Sequence, residues 1–84
     1  MILEVFSIRD SKAECYNTPF FKKTKGEALR DFTTAVNDEK SQLNQYPTDF
    51  DVYHVGNWDS DSGKFIPLDT PKHLAKAVDM VIKD

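Results

Sequence analysis

At 84 residues, with 39% hydrophobic and 30% charged residues, the chain has the length and apolar content for one modest core and too little for two, so residues 1–84 are read as a single domain. Its net charge of −3 excludes a uniformly basic nucleic-acid coat, and the single cysteine, Cys15, excludes an internal disulfide and points to a reducing compartment. The opening Met1-Ile2-Leu3 runs directly into Glu4, without the basic and apolar regions of a signal peptide, and no apolar run approaches the ~18 residues of a membrane span, so a membrane or secreted chain is not expected.

Residues Ile2 to Ile8 alternate as a strand, with Ile2, Glu4, Phe6 and Ile8 on one face and Leu3 and Val5 on the other. Apolar groups on both faces predict an interior strand. Arg9-Asp10-Ser11-Lys12 is a polar turn, from which Ala13 to Tyr16 returns as a short partner strand, and Asn17-Thr18-Pro19 ends the hairpin. Thr24 and Glu27 have the spacing of a capping box, so a helix begins at Lys25 and ends near Asn37, with Ala28, Leu29, Phe32, Ala35 and Val36 sharing the face that packs on the sheet. Asp38 to Pro47 is polar, with one turn around Ser41 to Gln45.

The second half is read as two further strands and a helix. Phe50, Val52, His54, Gly56 and Trp58 alternate with Asp51, Tyr53, Val55 and Asn57 in a long half-buried strand weakened at Gly56. Asp59 to Gly63 supplies turn chemistry, and Lys64 to Leu68 returns as a strand in which Pro67 requires an edge or an end. Thr70-Pro71 has the form of a helix cap followed by proline, and predicts a second helix carrying Leu74, Ala77, Val78 and Val81 on one face. The fold class is therefore α+β, a small antiparallel sheet in the order β-β-α-β-β-α.

Charge is distributed unevenly along the chain. Residues 1–30 carry six Lys/Arg and four Asp/Glu, residues 31–63 one and seven, and residues 64–84 four and three. The densest cationic stretch runs from Pro19 to Arg30, where Phe20 and Phe21 adjoin Lys22, Lys23, Lys25 and Arg30 at the start of the predicted helix. Lysines there oppose the helix dipole, a small cost that a bound phosphate reverses. Arg9 and Lys12 extend the set, Tyr16 and Phe21 are candidate base-stacking rings, and Lys64, Lys72 and Lys76 are secondary phosphate candidates. The bland alternative makes the phenylalanines core and the lysines solvated.

Other chemistries fit less well. Asp59-Ser60-Asp61-Ser62-Gly63 lacks the ligand spacing of a calcium loop, and His54, His73 and Cys15 lack the paired spacing of a zinc site, so no metal or cofactor is expected. No catalytic motif is present in the sequence, and a non-enzymatic protein is expected. The acidic stretch from Asp31 to Asp61 admits a DNA-mimic reading.

Several segments together resemble a known pattern: Phe6-Ser7-Ile8-Arg9-Asp10-Ser11-Lys12-Ala13-Glu14, then Pro19-Phe20-Phe21, Gly26-Glu27-Ala28 with Phe32, and Ala35-Val36-Asn37-Asp38, followed by Leu43-Asn44 before Pro47 and Asp49-Phe50. From about Leu3 to Phe65 the chain resembles the small nonstructural proteins of gokushovirus-like microviruses, phages with circular single-stranded DNA genomes. The resemblance implies a non-enzymatic DNA-binding protein in the cytoplasm of the infected bacterial host, acting in viral DNA synthesis or packaging. It implies DNA, single-stranded rather than duplex, as partner, together with viral replication or capsid proteins. A homo-oligomer is expected on size. The competing readings are a protein-binding adaptor and an acidic DNA mimic of a replication or capsid protein's ligand.

Overall fold

Alternation on the first strand sets the frame of the molecule. β1 (Ile2–Asp10) pairs antiparallel with β2 (Cys15–Tyr16) through Arg9 and Asp10, with β3 (Phe20–Lys22) through Glu4 to Phe6, and along its whole length with β4 (Phe50–Asp59). β5 (Lys64–Lys76) covers the other side of β4, giving the order β2-β1-β4-β5 with β3 beside β2 on the β1 edge. The computed structural model describes residues 1–82. It is an α+β fold, and β1 is interior as its two-faced apolar pattern requires.

The main helix, α1 (Lys25–Val36), starts where expected. Thr24 has extended backbone, and its Oγ1 accepts the Glu27 N–H at 3.2 Å, satisfying one of the free donors of the first turn. Ala28, Phe32 and Val36 are buried against Phe6, Phe50, Val52, Ala75 and Ala77. α2 (Gln42–Gln45) is a single turn capped by Ser41, and a 3₁₀ turn over Pro47–Asp49 leads into β4. Phe20, expected near the helix entry, lies in a strand and packs its ring 5.7 Å from that of Phe6.

Two departures from the sequence reading shape the molecule. The first is a bulge in β4. Phe6 pairs with His54 but Val5 pairs with Gly56, so Val55 has no opposite number. Because side chains alternate with a period of two, one extra residue moves everything beyond it to the other face. Phe50, Val52 and His54 therefore face α1, whereas Trp58, expected to share their face, pairs with Leu3 on the side away from the helix. His54 marks the bulge: its buried Nε2–H donates to Gly56 O at 2.8 Å and approaches Asn57 Oδ1 at 3.2 Å.

The second departure is at the C-terminal end. No helix starts at Thr70-Pro71; these residues belong to β5, which extends to Lys76, and α3 is one turn over Ala77–Met80 that excludes Val81. Gly56 pairs with Pro67 and His54 with Lys72, so Leu68 to Pro71 bow out of the ladder at a point where Pro71 has no N–H to contribute. A short isolated helix is marginal by itself, while Asp51 to His54 of β4 offer a row of backbone partners taken up by Lys76, Ala75, His73 and Lys72, with a register shift that skips Leu74. The short turn is then tied to α1: Asn37 Nδ2 donates to Met80 O at 3.0 Å, and Asn37 Oδ1 accepts the Ile82 N–H at 2.9 Å.

The core cluster packed on α1 draws on β1 only from Phe6 onward, on β4 only as far as Val52, and on β5 only from Leu74, while Val5 is buried on the opposite face of the sheet. The distal part of the sheet, built from the start of β1 and the β4–β5 hairpin, therefore projects as a wing beyond the helix. The molecule is accordingly elongated, with extents of 44 × 25 × 18 Å.

Candidate nucleic-acid interface

The face of the sheet opposite α1 follows from β1. Phe6 and Ile8 pack toward the helix, so Leu3, Val5, Ser7 and Arg9 point the other way, along with their cross-strand partners. This helix-free face carries two groups of rings at opposite ends.

At one end Arg9 pairs with Tyr16 of β2 and Asp51 of β4. Its guanidinium carbon stands 5.9 Å from the centre of the exposed Tyr16 ring, within the range of a cation–π contact. Tyr16 meets Tyr53 edge-on at 5.5 Å, and Tyr53 meets His73 edge-on at 5.2 Å. His73 Nε2 lies 2.8 Å from Asp51 Oδ2; a carboxylate only accepts, so this nitrogen carries the proton. Beside the row opens a cleft of about 390 Å³ lined by Arg9, Ser11, Asp49, Asp51, Tyr53 and Lys76. The cleft joins two cations, a phenol and two carboxylates, one of which is engaged by His73.

At the other end Phe21 pairs with Val5 and packs its ring against Trp58 at 5.7 Å and Phe65 at 5.9 Å. With Leu3 these rings line a shallow apolar hollow. Phe21 thus shares a face with Tyr16, since Val5 and Arg9 are four residues apart on one strand, about 13 Å at 3.3 Å per residue.

The cationic stretch from Lys22 to Arg30 is distributed differently. Lys22 alternates with Phe21, pairs with Glu4 and lies on the helix side, where its Nζ forms a close ion pair with Asp31 of α1. The hydrogen bond from Lys22 is the main cause that holds the Asp31 carboxyl below its usual range; desolvation opposes it, and the charges of Lys22 and Arg30 add to the lowering. This is the only Lys/Arg–carboxylate side-chain pair within 4.0 Å among the described residues. Lys23 and Arg30 are exposed, Lys25 is half-buried as the first residue of α1, and Lys12 is exposed in the turn after β1, where its N–H donates to Asp10 Oδ1 at 3.0 Å. The fold therefore groups Arg9 with Tyr16, sets Phe21 farther along the same face, and leaves Lys22, Lys23, Lys25 and Arg30 around the start of α1.

Tyr53, His73, Trp58 and Phe65 were not among the site residues suggested by sequence. Alternation already placed Tyr53 opposite the core, and a weighting for exposed aromatics on strands would have found it. His73 was hidden by its assignment to a helix, and Trp58 by the unseen bulge. The Asp59 carboxyl is occupied by its own turn: it accepts the Asp61 N–H at 2.9 Å and the Ser62 hydroxyl at 3.1 Å, which lower its pKa.

Comparison with known proteins adds an origin. The family model described as Phage ORF5 protein matches residues 3–80. The chain is 40% identical over 68 residues to Protein ORF5 of Chlamydia phage 1, an alignment covering 76% of this chain and 71% of that protein. No solved structure matches.

Proposed function

The chain belongs to the phage ORF5 protein family, and from that premise we propose that it binds single-stranded DNA on the helix-free face of its sheet, acting without catalysis in viral DNA synthesis or packaging inside the infected bacterium. The observation that carries this reading is the Arg9 guanidinium held over the exposed Tyr16 ring, with Tyr53 edge-on beside it and Lys76 across the cleft. A flexible single strand supplies what both kinds of group require, phosphates for the cations and splayed bases for the rings. A duplex keeps its bases stacked and offers only its backbone to such a surface. The resemblance to gokushovirus-like nonstructural proteins supports the same ligand.

In this arrangement Arg9 and Lys76 hold phosphates, Lys12 in the neighbouring turn adds a third cation, and Tyr16 provides the stacking surface. Three phosphates neutralised on a single strand give a slope of log K against log [salt] of about −2, at about −0.7 per phosphate. Asp49 and Asp51 in the cleft keep affinity modest, as suits a chain of net charge −3.

Fluorescence anisotropy with labelled single- and double-stranded oligonucleotides across a salt series tests the proposal. Tyr16→Ala lowers affinity for the single strand by about 1–3 kcal/mol, and Arg9→Glu abolishes binding at moderate salt. Lys22→Gln leaves affinity unchanged, because that cation is already paired with Asp31. Absence of binding at low salt, or indifference to both Arg9→Glu and Tyr16→Ala, refutes the reading and favours the adaptor alternative.

A further inference from the structure

We infer that the cleft beside Tyr53 is a base-reading subsite that prefers guanine, with the Asp49 carboxylate as the group that selects it; this step rests on the single-strand reading. A cleft of about 390 Å³ is within the range of about 300–1,000 Å³ for sites that enclose a small ligand, and it has room for one base with its sugar rather than a length of chain. Its mixed charge is not explained by phosphate contacts alone, because a carboxylate repels a phosphate. The two carboxylates differ. Asp51 Oδ2 already accepts the His73 Nε2–H at 2.8 Å, whereas the Asp49 side chain has no hydrogen-bond or ion-pair partner among the described residues. The backbone of Asp49 is nonetheless held in place: its carbonyl accepts the Ser11 N–H at 2.9 Å and the Ser11 hydroxyl at 3.0 Å, and its N–H donates to Tyr46 O at 3.0 Å. Asp49 is thus a half-buried acceptor on a fixed backbone, lining a cleft and lacking a donor.

An ionised carboxylate only accepts, and its two oxygens lie side by side, so the ligand that completes it presents two adjacent donors. Among the DNA bases guanine alone does so, through N1–H and the N2 amino group on its Watson–Crick edge. Adenine and cytosine offer one amino group beside a ring acceptor, and thymine offers one ring N–H flanked by two carbonyl oxygens that a carboxylate repels. Arg9 and Lys76, the cations of the same cleft, remain with the phosphates on either side of the base and draw the sugar-phosphate chain past a group that otherwise opposes it. Tyr53 lines the same space and offers the base an aromatic wall. The labour is then divided: Tyr16 stacks a neighbouring base without regard to sequence, and the cleft reads one base. A carboxylate here weakens binding to any strand and restores it only for the base that supplies both donors, which is how a repulsive group generates specificity.

Fluorescence anisotropy of the full chain with labelled oligothymidylates of about eight nucleotides, identical except for one central base, tests it. A strand with one deoxyguanosine binds the wild type about five- to tenfold more tightly than the all-thymidine strand, the lower part of the range for a paired base contact because the cleft is open to water. Deoxyinosine at the same position keeps N1–H, lacks the N2 amino group and loses most of the gain. Asp49→Asn replaces two acceptor oxygens by one oxygen and a donor nitrogen, so the guanine-to-thymine ratio falls to within about twofold. The same substitution raises affinity for the all-thymidine strand, since it removes a charge that opposes phosphate. Affinity for the all-thymidine strand reports the single-strand reading, and the ratio between strands reports the base preference. Binding with a wild-type ratio below about twofold, or a ratio retained in Asp49→Asn, overturns the inference and leaves the DNA reading standing. An adenine, cytosine or inosine strand that equals the guanine strand overturns it as well. Absence of binding to every strand overturns both.

Discussion

Replacing Gly56 with alanine probes a close approach between β4 and β5. A Cβ built at Gly56 falls 2.9 Å from Ile66 O and 3.1 Å from Pro67 Cα, both backbone atoms of the neighbouring strand that have no rotamer to change. The residue sits beside the bulge that redirects β4, with Val5 on one side and Pro67 on the other, so the methyl group can be admitted only by separating β4 from β5. Overpacking of this kind costs about 1–3 kcal/mol. An 84-residue domain has a total stability of about 4–13 kcal/mol at 0.05–0.15 kcal/mol per residue, and each kcal/mol displaces Tm by about 4–8 °C at this size. A loss near 2 kcal/mol thus lowers Tm by about 8–16 °C. The assay is urea denaturation followed by circular dichroism, in which Gly56→Ala lowers the midpoint without changing the slope. Gly26→Ala is the control of opposite sign: its added Cβ meets only Thr24 Oγ1 at 3.8 Å in the first turn of α1, so it stabilises by about 0.4–1 kcal/mol through the unfolded chain. If Gly56→Ala is as stable as the wild type, the β4–β5 approach described above is incorrect.

Three further outcomes follow from the core and the helix start. Phe32→Ala empties a site that is 1% exposed and costs about 3–5 kcal/mol, a large share of a total of about 4–13 kcal/mol, so near-ultraviolet circular dichroism should report lost tertiary packing at a lower temperature than in the wild type. Thr24→Ala removes the cap of α1 and costs about 1 kcal/mol in the same urea assay. The Asp31 carboxyl, lowered first by its hydrogen bond to Lys22, titrates below 3.8 by NMR in the wild type and returns toward that value in Lys22→Gln. Its folded pKa lies below its unfolded one, so the contribution of this pair is present above pH 3.8 and is lost as pH falls through the folded pKa.

Local rules were sufficient wherever the determinant lay within a few residues. The Thr24–Glu27 spacing located the start of α1, the stripe of Ala28, Phe32 and Val36 identified its buried face, and the Asp59 to Gly63 run identified the hairpin turn, where Gly63 has φ of +73°. Alternation in Ile2 to Ile8 and Phe50 to His54 identified the strands and sorted their residues onto two faces; which face of β1 meets the helix came from the fold. The edge position required by Pro67 was legible for the same reason, since a missing N–H is a property of the residue itself.

Tertiary structure decided the rest because the competing options were nearly equal locally. Leu74, Ala77, Val78 and Val81 suit a helix as well as a strand end, and the open backbone groups of Asp51 to His54 selected the strand. Gly56 marks the weak point of the strand, but it does not specify an extra residue at Val55; that follows from the simultaneous fit of β4 against β1 and β5, and it alone carries Trp58 to the face of Phe21. The candidate surface depends on the same kind of information. Lysines adjacent in sequence part to different sides of a strand because successive side chains alternate, while Arg9, Tyr16, Tyr53 and His73, scattered over 65 positions, are assembled by pairing register. Residue types set which segments could form strands and helices; only closing the sheet determined which charges and rings became neighbours.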